Sequence, residues 1–333
     1  MEGFVNVTYA CNAQCPFCYL FRTGRTRESR IISKKFFERF CMLIRKYNGT
    51  SITLVGGEPL MLSDRTLLDL IEIAKSYDLQ IGMETNGSLL DKHYDEVLLS
   101  FDYIFVSLDY LSKRHEEIRK IKVLDKIERY LKSFPNLSLT SVFLGDNLTD
   151  IVKMTYICVE MNKPYYVKLC KPDFNYDWRD VLALYDFILT LQLSAGVLNI
   201  RVVDEPSFYT YSQIRYRQTG FEKLKRAIPS FDCGMGTGHL VLDLNGDLYG
   251  CVYSQTEQTK VGNIVMSFEE IYRNILAVRK RRVKKKGLCR ICPIKECTGC
   301  PIAEPGSWKY CPVLHCYYPH LATTQSRPQN IPY

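Results

Sequence analysis

Short apolar runs alternate with amphipathic stretches about six times between residues 5 and 203, and this rhythm constrains the fold more than any other feature of the chain. Runs at 5–10, 51–55, 79–84, 103–109, 137–143, 165–170 and 197–203 read as strands. Helical spacing falls between them, at 34–47, 67–74, 93–99, 123–131, 151–161 and 181–192. In the first of these, Phe36, Phe37, Phe40, Leu43 and Ile44 share one side, and Ser63 stands where it can cap the second. Repeated strand–helix alternation predicts a parallel sheet with helices packed outside it. Ligands of such folds gather at the carboxyl ends of the strands. Four turns belong to that rim: the loop after 5–10, Gly56-Gly57-Glu58-Pro59, Thr85-Asn86-Gly87 and Ser107-Leu108-Asp109. Together they predict one site.

The first of these loops carries Cys11, Cys15 and Cys18 in a Cys-x3-Cys-x2-Cys array. Soft thiolates select iron–sulfur, zinc or copper(I). A four-iron cluster normally takes four cysteines, so three leave one iron open. A zinc knuckle is the alternative for these residues alone. In the second turn, Gly56 and Gly57 permit φ > 0 and close approach of the backbone to a ligand. Pro59 then fixes the chain, and the N–H groups that open the next helix face the site. Glu58 offers a negative acceptor for an amino group. A plain strand-to-helix turn could use the same four residues.

The chain has 14 cysteines, too many for inert packing. Cys41, Cys158 and Cys170 stand apart and read as buried apolar residues. The second group begins at Cys233. Segments 240–244 and 248–251 flank Asn245-Gly246, a strong hairpin signal that brings Cys233 and Cys251 together. Residues 261–264 lead into a helix over 271–278, followed by 279–286, basic at seven of eight positions. That run reads as a solvated helix end, as counter-charge to an anionic group or as a patch for an acidic partner. Cys289, Cys292, Cys297 and Cys300 follow with x2, x4 and x2 spacing, then Cys311 and Cys316, with His315 and His320 nearby. Alone, this block could be a pair of zinc knuckles.

No run approaches the ~20 apolar residues of a membrane helix, and the N-terminus lacks the layout of a signal peptide. The expectation is a cytoplasmic protein with reduced thiols, which disfavours a disulfide framework. The formal charge of +8 counts every Cys as neutral. Three four-iron clusters on these thiolates would leave about +3, so the basic excess reads as counter-charge. No nucleic-acid module is recognisable.

The pairing of Cys11-x3-Cys15-x2-Cys18, with Phe17 before the last Cys, and Gly56-Gly57-Glu58-Pro59 in a β/α repeat resembles the radical S-adenosylmethionine (radical SAM) superfamily. The resemblance implies a partial (β/α)6 TIM-type barrel. It implies that Cys11, Cys15 and Cys18 ligate a [4Fe–4S] cluster and that SAM chelates the open iron. Gly56, Gly57 and Glu58 would hold the methionine amine, and Phe17 would flank the adenine. Asn86, Ser107 and Asp109 would make further SAM contacts. Ser107-Leu108-Asp109 with His115 and Arg119 is similar to the Ser-Leu-Asp-Gly…His…Arg stretch of one subgroup, with Tyr110 in place of Gly. His115 by itself reads as a packed or solvated histidine.

The last third resembles the SPASM extension of these enzymes, through Cys233-x12-Gly246-x4-Cys251 and the dense Cys block, here tighter than the usual spacing. Its eight cysteines would hold two auxiliary [4Fe–4S] clusters. Cys289, Cys292 and Cys297 would share one with a late Cys, and Cys233, Cys251 and Cys300 the other, leaving Cys311 and Cys316 unassigned between them. The implied domains are a radical SAM core at 1–204, a bridge at 205–232 and a SPASM-like domain at 233–333.

The resemblance further implies reductive cleavage of SAM to a 5′-deoxyadenosyl radical, hydrogen abstraction from a substrate C–H and a net oxidation: a cross-link, a thioether or a dehydrogenation. The expected substrate is a ribosomally made peptide, with a small-molecule dehydrogenase as the alternative. A non-enzymatic iron–sulfur or zinc carrier is a third reading, but it has no use for Gly56-Gly57-Glu58. Val252 and Tyr253 follow Cys251 where sulfatase-maturing relatives carry a catalytic Asp, which argues against that activity. Cys11 lies so early that no leader-binding domain is expected before the barrel, so a peptide would need a separate leader-binding protein or direct recognition. The implied reductant is a flavodoxin or ferredoxin; neither nucleic acid nor membrane is expected as a partner.

Overall fold

The computed structural model describes residues 1–170, 177–203, 206–219, 238–252, 254–282, 292–293 and 311–317. In chain order the elements are β1 (Glu2–Thr8), α1 (Tyr19–Arg22), α2 (Lys34–Lys46), β2 (Ser51–Gly56), α3 (Asp64–Ser76), β3 (Gln80–Thr85), α4 (Asp95–Leu99), β4 (Tyr103–Ser107), α5 (Lys113–Arg119), α6 (Leu124–Ser133), β5 (Leu137–Phe143) and α7 (Leu148–Glu160). Then come β6 (Tyr165–Leu169), α8 (Trp178–Ser194), β7 (Ile200–Val202), α9 (Pro206–Thr219), β8 (His239–Leu242), β9 (Asp247–Tyr249), β10 (Lys260–Asn263), α10 (Phe268–Arg282) and α11 (Pro312–Tyr317). They fall into two compact units. One comprises 1–142, 150–165 and 234–280; the other comprises 143–149, 166–233 and 281–333.

In the first unit β1 to β5 lie side by side, each parallel to the next. This is the predicted parallel β/α arrangement. Val5, Val7, Ile52, Leu54, Ile81, Met83, Ile104 and Val106 are fully buried. Helix α2 covers them with Phe37, Phe40, Leu43 and Ile44, all buried, at roughly 1.5–3 kcal/mol for each large side chain removed from water. Ser63 caps α3 as expected, its Oγ accepting the Thr66 N–H. Register matters more than burial for the site. Thr8 pairs with Gly56, Thr85 with Val106, and Ser107 with Thr140, so consecutive strands finish at one level.

The hairpin expected at Asn245-Gly246 is present, with Gly246 at φ +81° in the turn. Its first strand, β8, pairs in parallel with β1, giving the order β10-β9-β8-β1-β2-β3-β4-β5. Helix α10 follows, and Tyr272 stacks on Tyr47 at 4.8 Å. Arg39 donates to the carbonyls of Ile264 and Met266, fixing the turn before that helix. Strand β10 and helix α5 were not anticipated from the sequence.

In the second unit α8 buries Leu184, Tyr185 and Ile188. Tyr185 meets Phe208 of α9 edge to face, and Trp178 stacks on His315 of α11 at 4.7 Å. Among the described residues no helix is long and apolar enough to cross a membrane.

Candidate functional site

The ends of β1 and β2 are stitched together. Gly57 N–H donates to Thr8 C=O at 2.7 Å, and Glu58 N–H donates to Ala10 C=O at 2.8 Å. Gly56 sits at φ +116°, a conformation L side chains rarely adopt. A Cβ on Gly57 would lie 2.0 Å from the Ala10 carbonyl oxygen and 2.5 Å from that of Tyr9. The glycines therefore permit a close approach to the backbone that leads directly into Cys11.

Glu58 is 1% exposed. Its Oε1 accepts from Leu60 N–H at 3.0 Å and Thr85 O–H at 2.6 Å, and its Oε2 accepts from Asn86 N–H at 2.7 Å. Burial raises its pKa, and these donors pull against that. The carboxylate thus clasps the second turn to the end of β3. Asn86 carries the linkage onward: its Nδ2 donates to Asn12 Oδ1 at 2.9 Å, and its Oδ1 accepts from Ser88 N–H and O–H. Asn12 Nδ2 closes the triangle on Ser88 Oγ at 2.8 Å.

The cysteine loop packs on a small core of Ala13, Cys15 and Ile121, with Cys11, Phe17 and Cys18 against it. Cys15 is buried, and Cys11 and Cys18 are half-buried. Ala13 N–H donates to Cys11 Sγ at 3.4 Å, and Cys18 N–H donates to Cys15 C=O where α1 begins. Helix α5 supplies the other wall. The carbonyl of Arg119 accepts from Gln14 N–H at 2.9 Å, and its guanidinium lies 5.3 Å from the Phe17 ring. Arg119 Nε and Nη2 donate to the two oxygens of Asp109 at 2.7 and 3.0 Å, while Nη1 lies 3.9 Å from Cys15 Sγ. Asp109, fully buried, also accepts from Val142 N–H at 2.9 Å.

Burial pushes the Cys11 thiol up to about 12, and burial likewise raises Cys15 while Arg119 draws it back. Burial by itself makes these thiols resist ionisation; a cationic metal centre would reverse that balance. One buried and two half-buried thiols, with N–H and guanidinium donors at sulfur, fit a soft-metal cluster. Among the described residues, no three His, Cys, Asp or Glu side chains converge on the position of a single metal ion.

Of the two readings open for His115, packed or solvated, the structure shows the packed one, with the side chain fully buried. Its Nδ1 accepts from Asp109 N–H at 3.1 Å, and Nε2 has no partner among the described residues. Burial lowers its pKa to about 4. Tyr110 is buried without a left-handed backbone, so the Gly-to-Tyr exchange is accommodated there. Ser107 ends β4, half-buried, on the same rim. Cys41, Cys158 and Cys170 are buried as expected. Cys251 is buried just beyond β9 in the first unit; Cys292, half-buried, lies in the second with half-buried Cys311 and exposed Cys316. Cys233, Cys289, Cys297, Cys300, His320, Tyr253 and residues 283–286 of the basic run lie outside the described residues. The sequence reading placed Thr85 on the rim without its role as a donor to Glu58, and it missed Asn12, Ser88 and Val142. The Asn86-Gly87-Ser88 turn chemistry hinted at Ser88, but nothing local identifies the partner of Asn12.

Residues 5–155 match the Radical SAM superfamily, and residues 233–301 match SPASM, an iron–sulfur cluster-binding domain. The chain belongs to the radical SAM superfamily and carries a SPASM domain. It is similar to the mycofactocin maturase MftC of Mycobacterium tuberculosis, 22% identical over 307 residues that cover 86% of this chain and 74% of that protein. It is also similar to a probable GTP 3′,8-cyclase of Saccharolobus solfataricus, 29% identical over 144 residues, 42% of this chain and 46% of the relative. The match thus spans less than half the length of that cyclase. Two solved structures share the fold. Streptococcus suis SuiB bound to S-adenosylmethionine superposes with a TM-score of 0.65 at 21% identity, covering 90% of this chain and 72% of SuiB. Native anSMEcpe with bound AdoMet gives 0.67 at 20% identity, covering 96% and 98%.

Proposed function

We propose that this chain is a peptide-modifying radical SAM enzyme that completes a net oxidation of its substrate. The observation that carries the reading is the three-thiol loop at the end of β1, stitched to Gly56-Gly57-Glu58 and ringed by buried polar side chains. In this reading Cys11, Cys15 and Cys18 would hold a [4Fe–4S] cluster, and SAM would bind beside it. The eight C-terminal cysteines, Cys233, Cys251, Cys289, Cys292, Cys297, Cys300, Cys311 and Cys316, hold two more. Cluster and SAM together would supply, when bound, the one-electron chemistry that takes hydrogen from an unactivated C–H.

The chain's own residues then bind and orient. With its carboxylate committed to Leu60, Thr85 and Asn86, Glu58 fixes the turn and leaves the backbone of Gly56 and Gly57 to receive the SAM amine. Phe17, Asn86 and Ser107 line the same rim, and Asp109 acts on it through Arg119. Likeness to MftC, a maturase, over 86% of this chain supports a peptide substrate. A one-electron carrier such as flavodoxin or ferredoxin would supply the electron.

The test is anaerobic incubation of the reconstituted protein with SAM, a reductant and candidate precursor peptides. The expected products are 5′-deoxyadenosine and a peptide lighter by two hydrogen atoms. Cys15→Ala should abolish SAM cleavage while auxiliary iron is retained. Cleavage that survives this change overturns the enzyme reading, and deuterium from labelled SAM in the peptide overturns the oxidative one.

A further inference from the structure

We propose that Arg119 is a positioning residue that sets the reduction potential of the cluster held by Cys11, Cys15 and Cys18. The inference rests on the reading above that these three thiolates ligate a cluster. Arg119 is 6% exposed and closes α5; the next residue, Lys120, turns left-handed at φ +57° and donates to Glu116 C=O at 2.7 Å. The helix end therefore fixes where its side chain begins. Asp109 then fixes where it ends: by taking Nε and Nη2 it turns Nη1 toward Cys15 Sγ. The Arg119 carbonyl holds the cysteine loop at Gln14, and its guanidinium faces the Phe17 ring, so one residue grips this loop at three points.

A donor carrying positive charge beside a thiolate stabilises the more negative, reduced form of whatever metal centre that thiolate binds. Burial strengthens the effect, because water does not screen it. Asp109 does not cancel it. The positive end of the pair faces sulfur, with Nη1 3.9 Å from Cys15 Sγ, while both Asp109 oxygens are turned away onto Nε and Nη2. Nothing about a structural ion pair alone requires a guanidinium nitrogen aimed at sulfur; Nε and Nη2 already satisfy Asp109.

Two variants of the full chain test this. Arg119→Lys keeps the charge. The double variant Asp109→Asn with Arg119→Gln replaces the pair by neutral groups and avoids the lone buried charge that a single change would leave. Each is reconstituted anaerobically, and the midpoint potential of the N-terminal cluster is measured by electron paramagnetic resonance titration without SAM. The spectrum of a Cys11→Ala, Cys15→Ala, Cys18→Ala protein is subtracted to remove other clusters. The expected result is at least a tenfold shift of the reduction equilibrium toward the oxidised form in the double variant, a fall of about 59 mV for one electron, with Arg119→Lys retaining most of the wild-type value. An unchanged potential in a cluster-loaded double variant overturns the inference. So does loss of the cluster from both variants with the circular dichroism spectrum intact, which would assign Arg119 to assembly alone. If wild-type protein shows no signal that depends on the three cysteines, the proposed function falls as well; a wild-type signal with an unmoved potential sinks only this inference.

Discussion

Adding one methyl group at Gly57 should loosen the loop that carries Cys11. A Cβ there would lie 2.0 Å from the Ala10 carbonyl oxygen, and the neighbouring Tyr9 oxygen is 2.5 Å away. A tolerable carbon–oxygen contact is about 3.3 Å, so the backbone at 9–10 must retreat by roughly 1 Å. Both obstacles are main-chain atoms, and no rotamer change relieves them. The retreat stretches the Gly57–Thr8 and Glu58–Ala10 hydrogen bonds, now 2.7 and 2.8 Å, beyond useful length. Two such bonds are worth about 1 kcal/mol each, and the overpacking adds about 1–3 kcal/mol, so Gly57→Ala should cost ~3–5 kcal/mol. That is a large share of the stability of a typical domain, and for one of this size it corresponds to a drop of about 10 °C in Tm. Gly24→Ala is the control. Gly24 also has positive φ, +72°, but a Cβ there meets nothing within 4 Å, so only about 1–2 kcal/mol of backbone strain is expected. Thermal unfolding of the metal-free proteins, followed by circular dichroism, compares the two. If Gly57→Ala melts no lower than Gly24→Ala, the stitching of β1 to β2 is not what the glycine is for.

His115 makes stability depend on acid. Its folded-state pKa is about 4, below the ordinary 6.5, because burial disfavours the imidazolium. The unfolded chain therefore binds a proton that the folded chain refuses. The contribution is complete above pH ~6.5 and is lost as pH falls toward 4, with ~3 kcal/mol lost in all. Urea unfolding of metal-free protein at pH 7 and pH 4.5 measures this loss, and His115→Gln should flatten that limb of the profile; an equally steep profile in the variant refutes the assignment. Glu58→Gln should destabilise the metal-free protein by about 1–3 kcal/mol, because an amide turned either way sets an N–H against a buried donor. The loss should appear before SAM is added. Unaltered unfolding with weakened SAM binding would instead make Glu58 a direct ligand contact.

Much of this protein is legible as pattern. The β/α alternation, the apolar face of α2, the Ser63 cap and the Asn245-Gly246 turn all depend on neighbours within a few residues, and local periodicity reports them faithfully. Spacing likewise identified the three-thiol loop and the Gly56-Gly57 turn, because both are contiguous. Helix α5 escaped for a definable reason. Its seven residues, Lys113–Arg119, present no apolar stripe, and the side chains it buries are His115 and Arg119, which a hydrophobicity pattern assigns to the surface. Strand β8 was visible, but its parallel partner, with Glu2 opposite His239, was not, because strand pairing across the whole chain leaves no local trace. The same holds for the commitment of Glu58 to Thr85 and Asn86, the Asn12–Asn86 bond and the grip of Arg119 on the cysteine loop. The sequence by itself determined which residues could do the chemistry. The tertiary structure decided which of them touch, because only the register of the parallel strands brings loops scattered over 130 residues to one rim, where buried polar groups must find partners in one another.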